Sequence, residues 1–241
     1  MRGALRRWKK DFVLKRTYSV PKREPFYALA ARYLPDDAEA IVVDIGAADG
    51  VFAAYAKLPE RFPHLELFDQ NPGSIALLRE RFGKGVAYTA PAPLPFKDGS
   101  VSFIHLSHIV EHLYYEDLLT FLRECDRVLI SGGILIISTP LLWNRFYDDL
   151  SHVKPYNPEV FFHYLTRKKA DASALPVSTD YVVRELVFRY RAVDDAGLSS
   201  VYFPIDALIR VIRIVMNKLG FRRYRRNGYT LVLEKNGGKE G

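Results

Sequence analysis

Apolar and polar positions along this chain form blocks that predict strands alternating with helices. Segments such as 134–140, ILIISTP, are nearly all apolar, which is typical of parallel strands covered on both faces. The pattern predicts strands at 40–44, 65–69, 86–88, 101–109, 134–140, 181–192 and 228–235. It predicts helices at 25–33, 51–58, 72–82, 117–129, 157–165 and 203–221. This alternation indicates an α/β fold with a doubly wound, mostly parallel seven-stranded sheet, helices on both faces and a helical insertion before the last strand.

The turn after the first strand carries the most distinctive residues of the chain. In the segment 41–50, IVVDIGAADG, Asp44 precedes a turn in which Gly46, Ala48 and Gly50 alternate with other residues. Such a turn lets the backbone approach a ligand closely, and the start of the following helix offers free N–H groups. The dinucleotide fingerprint G-x-G-x-x-G is absent, and an ordinary strand–turn–helix connection can also contain glycine. The carboxylate beside the turn suits a ligand that carries hydroxyl or ammonium groups.

A second carboxylate falls at the end of the second predicted strand. Asp69 follows Gly50 by 19 positions. The carboxyl ends of neighbouring parallel strands lie side by side, so Asp69 is placed to accept hydrogen bonds from both hydroxyls of a ribose held over the turn. Its alternative role as the N-cap of the helix 72–82 is better filled by Asn71. Turn and carboxylate together predict a nucleoside-type ligand.

Length and composition indicate a single folded domain. With 241 residues and 49% hydrophobic positions, the chain is long enough to bury a core. We place the domain at 24–235, after a basic N-terminal extension, 1–23, and before a tail, 236–241, that is expected to be disordered. The single cysteine, Cys125, cannot form an internal disulfide, and no apolar run has the length of a membrane span. These features predict a cytoplasmic protein.

The positive charge of the chain is concentrated in two segments. Residues 1–23 carry a net charge of +8 and residues 210–226 carry +7, so that against a total of +7 the rest of the chain carries −8. Basic patches on an acidic body favour an anionic partner, either a membrane surface or an RNA backbone. The basic, amphipathic insertion 203–227 either packs on the sheet edge or rests on anionic lipid. No stacking-aromatic RNA module is recognisable, which makes peripheral membrane contact the favoured partner and RNA the alternative.

Four segments together resemble the class I S-adenosylmethionine-dependent methyltransferases, most closely the methyltransferase-11 branch. The segments are VDIGAADG (43–50), ELFDQNPGSI (66–75), LPFKDGSVSFIHLSHIVEHL (94–113) and FLRECDRVLISGGILIISTP (121–140). They fall in the order of that family and at about its spacing, over roughly residues 38–165. The resemblance implies the Rossmann-like methyltransferase fold and S-adenosyl-L-methionine as cofactor.

The resemblance also implies the roles of individual residues in binding this cofactor. Asp44 would face the methionine ammonium, and the backbone at Gly46, Ala48 and Gly50 would approach the methionine and ribose. Asp69 would bind the ribose hydroxyls, and Gln70 would lie beside the adenine. Ser107 and His108 would border the transferred methyl group. Two positions depart from the family pattern. Ala48 replaces a glycine, and Ala90 stands where many relatives carry an aspartate on the adenine amine.

The loop after the fifth strand, 141–165, is the candidate for acceptor chemistry. Related enzymes often carry a similar Asp-x-x-His followed by proline and an aromatic residue, which here begins with Asp149 and His152. His152 has a suitable pKa for a general base and Asp149 could orient it, although His152 could equally tie the loop to the next helix. His108 is a further catalytic candidate, and Glu111 is expected to serve helix entry. No metal-ligand set is predicted.

Several acceptor classes do not match the sequence. No Asn/Asp-Pro-Pro-Tyr/Phe motif follows strand four, which disfavours the exocyclic amines of adenine or cytosine as acceptors. No cysteine lies in the loops that a covalent C5-pyrimidine mechanism needs. The acids that metal-dependent catechol enzymes carry at the end of strand four are also absent. We therefore predict a methyltransferase directed at oxygen, acting on a small-molecule, glycan or lipid-linked acceptor. An RNA methyltransferase and a non-catalytic binding module with this fold are the alternatives.

Overall fold

The computed structural model describes residues 23–166, 176–193, 201–218 and 223–236, and in these residues seven strands form one sheet. The strands are β1 Ile41–Ile45, β2 Leu65–Asp69, β3 Val86–Ala87, β4 Val101–Ser107, β5 Leu129–Pro140, β6 Tyr181–Val193 and β7 Arg223–Lys235. The helices are α1 Glu24–Ala31, α2 Val51–Tyr55, α3 Leu58–Arg61, α4 Pro72–Phe82, α5 Tyr115–Val128, α6 Pro158–Leu165 and α7 Phe203–Lys218. Two short 3₁₀ helices, Val110–His112 and Phe146–Asp148, follow β4 and β5.

The order of strands across the sheet is β3-β2-β1-β4-β5-β7-β6. The pairs from β3 to β5 are parallel, whereas β7 is antiparallel to both of its neighbours, β5 and β6. After β3 the chain returns to the other side of β1, which makes the β1/β4 boundary the switch point of the topology. The predicted doubly wound, mostly parallel sheet is confirmed.

The core consists of two apolar clusters, one on each face of the sheet. Successive strand residues alternate between them: Val42 belongs to the cluster with α1 and α2, while Val43 belongs to the cluster with α5. Each fully buried side chain of this kind stabilises the fold by about 1.5–3 kcal/mol. Cys125 of α5 is fully buried, and this burial raises the pKa of its thiol, as expected for a packing residue. Helices therefore cover both faces of the sheet.

Some element boundaries differ from the predicted ones. The helix predicted at 51–58 ends at Tyr55, because Lys57 takes a left-handed conformation with φ 52° before α3 begins. β5 begins at Leu129 rather than at 134. In the predicted insertion 203–227, α7 ends at Lys218 and residues 223–227 belong to β7. The predicted basic extension, except residue 23, and the tail beyond residue 236 lie outside the described residues.

β6 and β7 reach past the carboxyl edge of the other strands. Pro140, the last residue of β5, pairs with Gly228, which in turn pairs with Arg189 of β6. Beyond this rung the two strands continue as a two-stranded arm in which 190–193 pair with 223–226. The arm therefore stands beside the edge where ligands bind in open α/β sheets.

Tyrosine hydroxyls fasten the loop after β5 to the sheet. The hydroxyl of Tyr229 on β7 donates to the carbonyl of Tyr156 at 2.8 Å. The hydroxyl of Tyr156 in turn donates to the carbonyl of Leu113, after β4, at 2.9 Å. Both rings are buried, so the loop is held against the carboxyl edge.

Within the described ranges, no helix combines the length and the apolar character that crossing a bilayer requires.

Candidate functional site

A cleft of about 720 Å³ opens where the carboxyl ends of β1, β2 and β4 meet. Its volume lies within the range of roughly 300–1,000 Å³ that is typical of ligand pockets. All seven residues predicted to bind the cofactor, and His108, line it or form its turn. Those lining it are Asp44, Gly46, Ala48, Asp69, Gln70, Ser107 and His108. Gly50 closes the turn as the N-cap of α2.

The turn between β1 and α2 depends on three residues with positive φ. Gly46, Ala48 and Gly50 have φ of 79°, 50° and 74°. A Cβ at Gly46 would lie 2.5 Å from the carbonyl oxygen of Ser107, and one at Gly50 would overlap the ring of Phe82. Glycine is therefore required at both positions. At Ala48 the left-handed conformation is accessible to alanine at a cost, which explains why a glycine is the ordinary residue there.

Asp69 holds the turn and retains acceptor capacity. Its Oδ2 accepts a hydrogen bond from the Ala48 N–H at 2.9 Å, and its Oδ1 accepts one from the Asn71 N–H at 2.8 Å. A carboxylate oxygen has two lone pairs, so each oxygen can accept one more hydrogen bond from a ligand. Asn71, rather than Asp69, caps α4, because its side chain accepts from the N–H groups of Gly73 and Ser74. The predicted N-cap role of Asn71 is confirmed, and the binding of ribose hydroxyls by Asp69 stays a prediction.

Asp44 is paired with a histidine that the sequence analysis did not single out. Asp44 and His105 lie opposite each other on β1 and β4, and Nδ1 of His105 lies 2.8 Å from Oδ1 of Asp44. Both side chains are almost completely buried, and the His105 ring packs against Phe52 with 4.4 Å between ring centroids. Asp44 nevertheless reaches the cleft at the end of β1. His105 therefore fixes the orientation of this carboxylate.

His108 lies at the end of β4 in a left-handed conformation, with φ 57°. Its Nδ1 is 2.9 Å from Oε1 of Glu111, and its Nε2 is 3.1 Å from Nη1 of Arg189. Because an arginine can only donate, Nε2 accepts, and Nδ1 carries the proton that is donated to Glu111. Burial, together with the charges of Arg189 and Arg23, lowers the pKa of His108 despite the neighbouring Glu111. The imidazole is therefore held neutral.

Glu111 has a different role from the predicted one at a helix entry. It is fully buried, and its second oxygen accepts a hydrogen bond from the Thr139 hydroxyl at 3.0 Å. Burial alone would raise its pKa, but the hydrogen bond from His108, together with a backbone hydrogen bond, outweighs this and lowers it. α5 begins instead after Tyr114, whose side chain makes no capping hydrogen bond. Glu111 is thus the ionised partner that orients His108.

The structure brings His152 close to the cleft, but not through Asp149. Nδ1 of His152 lies 2.6 Å from the carbonyl oxygen of Phe146, and its ring is 5.0 Å from that of His112, which lines the cleft. Asp149 accepts hydrogen bonds from the side chain and backbone of Ser151, which lower its pKa, and its Oδ2 is 3.9 Å from Nε2 of His152. The Phe146 carbonyl, rather than Asp149, therefore orients the imidazole.

Three of these residues form a group with the spacing of metal ligands. In the part of the chain that the structure describes, Glu111, His112 and His152 are the group whose potential ligand atoms all lie within 4.8 Å of one another. Both oxygens of Glu111 already accept hydrogen bonds, from His108 and Thr139. Each oxygen keeps a second lone pair, so the three residues retain the donor atoms of a metal site, although none was predicted from the sequence.

Part of this chain is similar in sequence to known methyltransferases. Residues 43–137 match the family model described as a methyltransferase domain. Over 133 residues the chain is 30% identical to a probable S-adenosylmethionine-dependent methyltransferase of Mycolicibacterium smegmatis, which covers 55% of this chain and 49% of that protein. Over 123 residues it is 35% identical to malonyl-[acyl-carrier protein] O-methyltransferase 1 of Coxiella burnetii, which covers 48% of this chain and 41% of that protein. The chain spans less than half the length of these curated relatives.

Solved structures share the fold over a larger part of the chain. A SAM-dependent methyltransferase from Archaeoglobus fulgidus aligns with a TM-score of 0.57 at 22% identity, covering 89% of this chain and 95% of that one. A putative methyltransferase from Bacillus halodurans aligns with a TM-score of 0.55 at 14% identity, covering 87% and 97%. Because both identities are below 25%, these two comparisons show a shared fold and do not show a shared activity.

Proposed function

We propose that this chain, whose residues 43–137 match the methyltransferase domain model, is a class I S-adenosylmethionine-dependent methyltransferase and methylates an oxygen of a small-molecule, glycan or lipid-linked acceptor. The observation that supports this most is the position of a neutral, oriented imidazole, His108, at the end of β4 in the same cleft as Asp44 and Asp69. The O-methyltransferase relative from Coxiella burnetii favours an oxygen acceptor.

The cleft fits S-adenosylmethionine, the cofactor of this domain. The unused lone pairs of Asp69 suit the two ribose hydroxyls, and the buried carboxylate of Asp44 suits the ammonium of the methionine. Tyr88, Thr89 and Ala90 line the side where an adenine would lie. With Ala90 in place of an aspartate, backbone groups have to meet the adenine amine. When bound, the cofactor supplies an electrophilic methyl group on a sulfonium.

The protein's own contribution is to align the acceptor and to receive its proton. A hydroxyl acceptor has to lose its proton as the new carbon–oxygen bond forms, whereas a carboxylate acceptor needs no base. The Nδ1 atoms of His108 and His152 both donate hydrogen bonds, so Nε2 is the basic nitrogen of each ring. Nε2 of His108 already accepts from Arg189. We therefore assign the proton to Nε2 of His152, and the positioning of the acceptor to His108.

The decisive experiment combines cofactor binding with a search for the acceptor. Calorimetric titration with S-adenosylhomocysteine should give micromolar binding, after which radiolabelled methyl groups should enter the lipid or glycan fraction of an extract. Incorporation into RNA, with strongly salt-dependent RNA binding, would establish the alternative acceptor. Cofactor binding without transfer to any fraction would indicate a non-catalytic module. A folded protein that binds neither S-adenosylmethionine nor its product would refute the proposal.

The surface of α7 supports a membrane as the partner. Its apolar side chains are 41–83% exposed, which is unusual for so many neighbouring residues: Phe203, Ile205, Leu208, Val211, Ile212, Ile214, Val215 and Met216. The same helix carries Arg210 and Arg213, and the β6/β7 arm adds Arg191, Arg225 and Arg226. Apolar and basic side chains together fit the interface of an anionic lipid bilayer. Because α7 connects the strands of this arm, a bound membrane would lie near the acceptor side of the cleft, which favours a lipid-linked acceptor.

Vesicle binding tests this partner. We expect the protein to co-sediment with vesicles that contain phosphatidylglycerol, and much less with pure phosphatidylcholine. Replacing Leu208 and Ile212 by glutamate should weaken the binding at least tenfold. Leu77→Glu is the control, because Leu77 is exposed like Leu208 and Ile212 but lies on α4. Equal binding to both vesicle types, or an equal effect of the control, would contradict membrane docking through α7.

A further inference from the structure

Arg189 is a partly buried arginine without a hydrogen-bonded carboxylate partner among the described residues. It belongs to β6, at the last rung before the two-stranded arm, opposite Gly228. Its Nε is buried and has no hydrogen-bond partner. Burial lowers the pKa of its guanidinium to about 10, which leaves it charged at neutral pH. Buried charges are ordinarily paired, so a buried guanidinium of this kind requires an explanation.

The surroundings of Arg189 hold the guanidinium in one place. The group lies directly over Gly228, where a Cβ would be 2.6 Å from Cζ, so any side chain at that position would displace it. Its Cζ lies 5.9 Å from the centre of the Phe26 ring. Its Nη1 donates to Nε2 of His108 at 3.1 Å. The glycine thus makes room for an arginine that is directed at the end of β4.

The charges around His108 are unbalanced. Arg189 approaches its Nε2, and Arg23, which lines the cleft, also lowers the pKa of His108 through its positive charge. The one carboxylate in contact with this imidazole, within the described residues, is Glu111, which is already engaged by His108 and Thr139. Two positive charges therefore act on His108, and Glu111, whose negative charge also acts on Arg189, offsets only one of them. An anion at this point would supply the missing charge and accept from the unused Nε–H.

We propose that Arg189, supported by His108 and Gly228, binds an oxyanion, a carboxylate or a phosphate, of the methyl acceptor. This inference rests on the proposed methyl transfer and narrows its acceptors to acidic molecules. Arginine binds such groups through two parallel hydrogen bonds, and a desolvated site strengthens them. His108 then contacts the acceptor beside this group, and Arg189 serves as a specificity residue. The basic arm beyond Arg189 would guide an acidic acceptor toward the cleft.

The test monitors the Nε–H of Arg189 itself. The full chain, labelled with ¹⁵N-arginine and saturated with S-adenosylhomocysteine, is titrated with inorganic phosphate, methyl phosphate and acetate at constant ionic strength. We expect a saturable shift of the Arg189 signal, which is identified by its loss in Arg189→Lys. Arg189→Lys should weaken anion binding at least tenfold, because lysine lacks the Nε–H and the planar fork. A response to phosphates alone, or to acetate alone, identifies the group on the acceptor.

Arg184→Gln is the matched control. Arg184 lies on the same strand but is exposed and paired with Glu234 at 2.6 and 2.8 Å. Its replacement should leave anion binding unchanged. Absence of a saturable shift with all three anions, or equal weakening by Arg184→Gln, would overturn the inference, and the wild-type titration decides the matter even where Arg189→Lys does not fold. Cofactor binding without anion binding refutes this site alone, whereas anion binding without cofactor binding refutes the proposed function alone.

Discussion

His105 on β4 and Asp44 on β1 form a buried hydrogen-bonded pair across the switch point of the sheet, with 2.8 Å between Nδ1 and Oδ1. The pair joins the two strands whose carboxyl ends frame the cleft. Removing the imidazole would leave a carboxylate that is 1% exposed without this donor. We therefore expect the pair to contribute both to the stability of the fold and to the affinity for the cofactor.

His105→Leu should consequently weaken both properties. A buried acceptor without its partner costs about 1–3 kcal/mol of unfolding free energy. We expect a loss of this size in urea denaturation, together with about a tenfold weaker affinity for S-adenosylhomocysteine, equivalent to about 1.4 kcal/mol. His64→Leu is the control, because His64 and its partner Glu39 are exposed. Normal cofactor affinity in His105→Leu would show that the pair is structural only.

Asp69→Asn should separate ligand binding from stability. The asparagine keeps an acceptor oxygen for only one of the two backbone N–H groups, that of Ala48 or that of Asn71, and loses the charged acceptor for the ribose hydroxyls. Hydrogen bonds to a charged group contribute about 1.5–3 kcal/mol, so affinity for S-adenosylhomocysteine should fall between tenfold and a hundredfold. The melting temperature should fall by no more than the loss of one backbone hydrogen bond explains, about 1 kcal/mol of unfolding free energy. Asp36→Asn, at an exposed position, controls for the lost charge. Parallel losses of affinity and melting temperature would indicate a role in the turn only.

His108 should make the stability of the fold depend on pH. Its pKa lies below the ordinary value of 6.5, whereas in the unfolded chain it returns to that value. As the pH falls below about 6.5, the unfolded state therefore takes up a proton before the folded state does, and stability is lost as the pH continues toward the folded pKa. The contribution is fully present above pH 6.5. Glu111, Arg189 and Arg23 are the charged groups that act on this imidazole.

His108→Asn should flatten this profile. Asparagine tolerates the left-handed conformation of this position and can still donate toward Glu111, but it does not titrate. Urea unfolding between pH 5 and pH 8 should show a smaller loss of stability in the variant than in the wild type. His64→Asn removes an exposed imidazole for comparison. An unchanged slope in His108→Asn would mean that other groups cause the acid sensitivity.

His152→Ala should abolish methyl transfer and leave cofactor affinity intact. A general base contributes about a hundredfold to ten-thousandfold to the rate, which is the loss expected for a hydroxyl acceptor. Asp149→Asn should have a much smaller effect, because Asp149 is bonded to Ser151 and the Phe146 carbonyl orients the imidazole. The comparison uses kcat and the dissociation constant of S-adenosylhomocysteine. Full activity in His152→Ala would eliminate it as the base.

Locally encoded features could be predicted from the sequence almost to the residue. β2 and α4 have the predicted bounds of 65–69 and 72–82, because Asn71 caps the helix and Gly83 ends it in a left-handed conformation. The α/β alternation, and with it the fold class, depends on similar local patterns. The small-residue turn and the carboxylate at the end of β2 belong to the same category. They predicted correctly that these residues line one cleft, because strand ends share one edge of the sheet.

Features that depend on strands meeting in space could not be found in this way. His105 is one polar residue in an apolar strand until the register of β1 and β4 sets it opposite Asp44. The contact between Arg189 and His108 could not be predicted, because it depends on where β6 lies in the sheet. Asp149 is the opposite case, since its spacing from His152 suggested a contact, but Ser151, two residues away, competes for the carboxylate.

The insertion of β7 between β5 and β6 has a consequence for synthesis of the protein. Of the strands that the structure describes, β7 is the last to leave the ribosome, yet it supplies the hydrogen-bonding partner for both neighbours. Until then the apolar edge of β5 stays open, and β6 has no strand to pair with in the finished order. A nascent chain halted before residue 223 would therefore expose an unpaired strand edge, which would bind chaperones or self-associate. Once residues 223–235 are released, β7 would pair with β5 and β6 and complete the sheet in one late step.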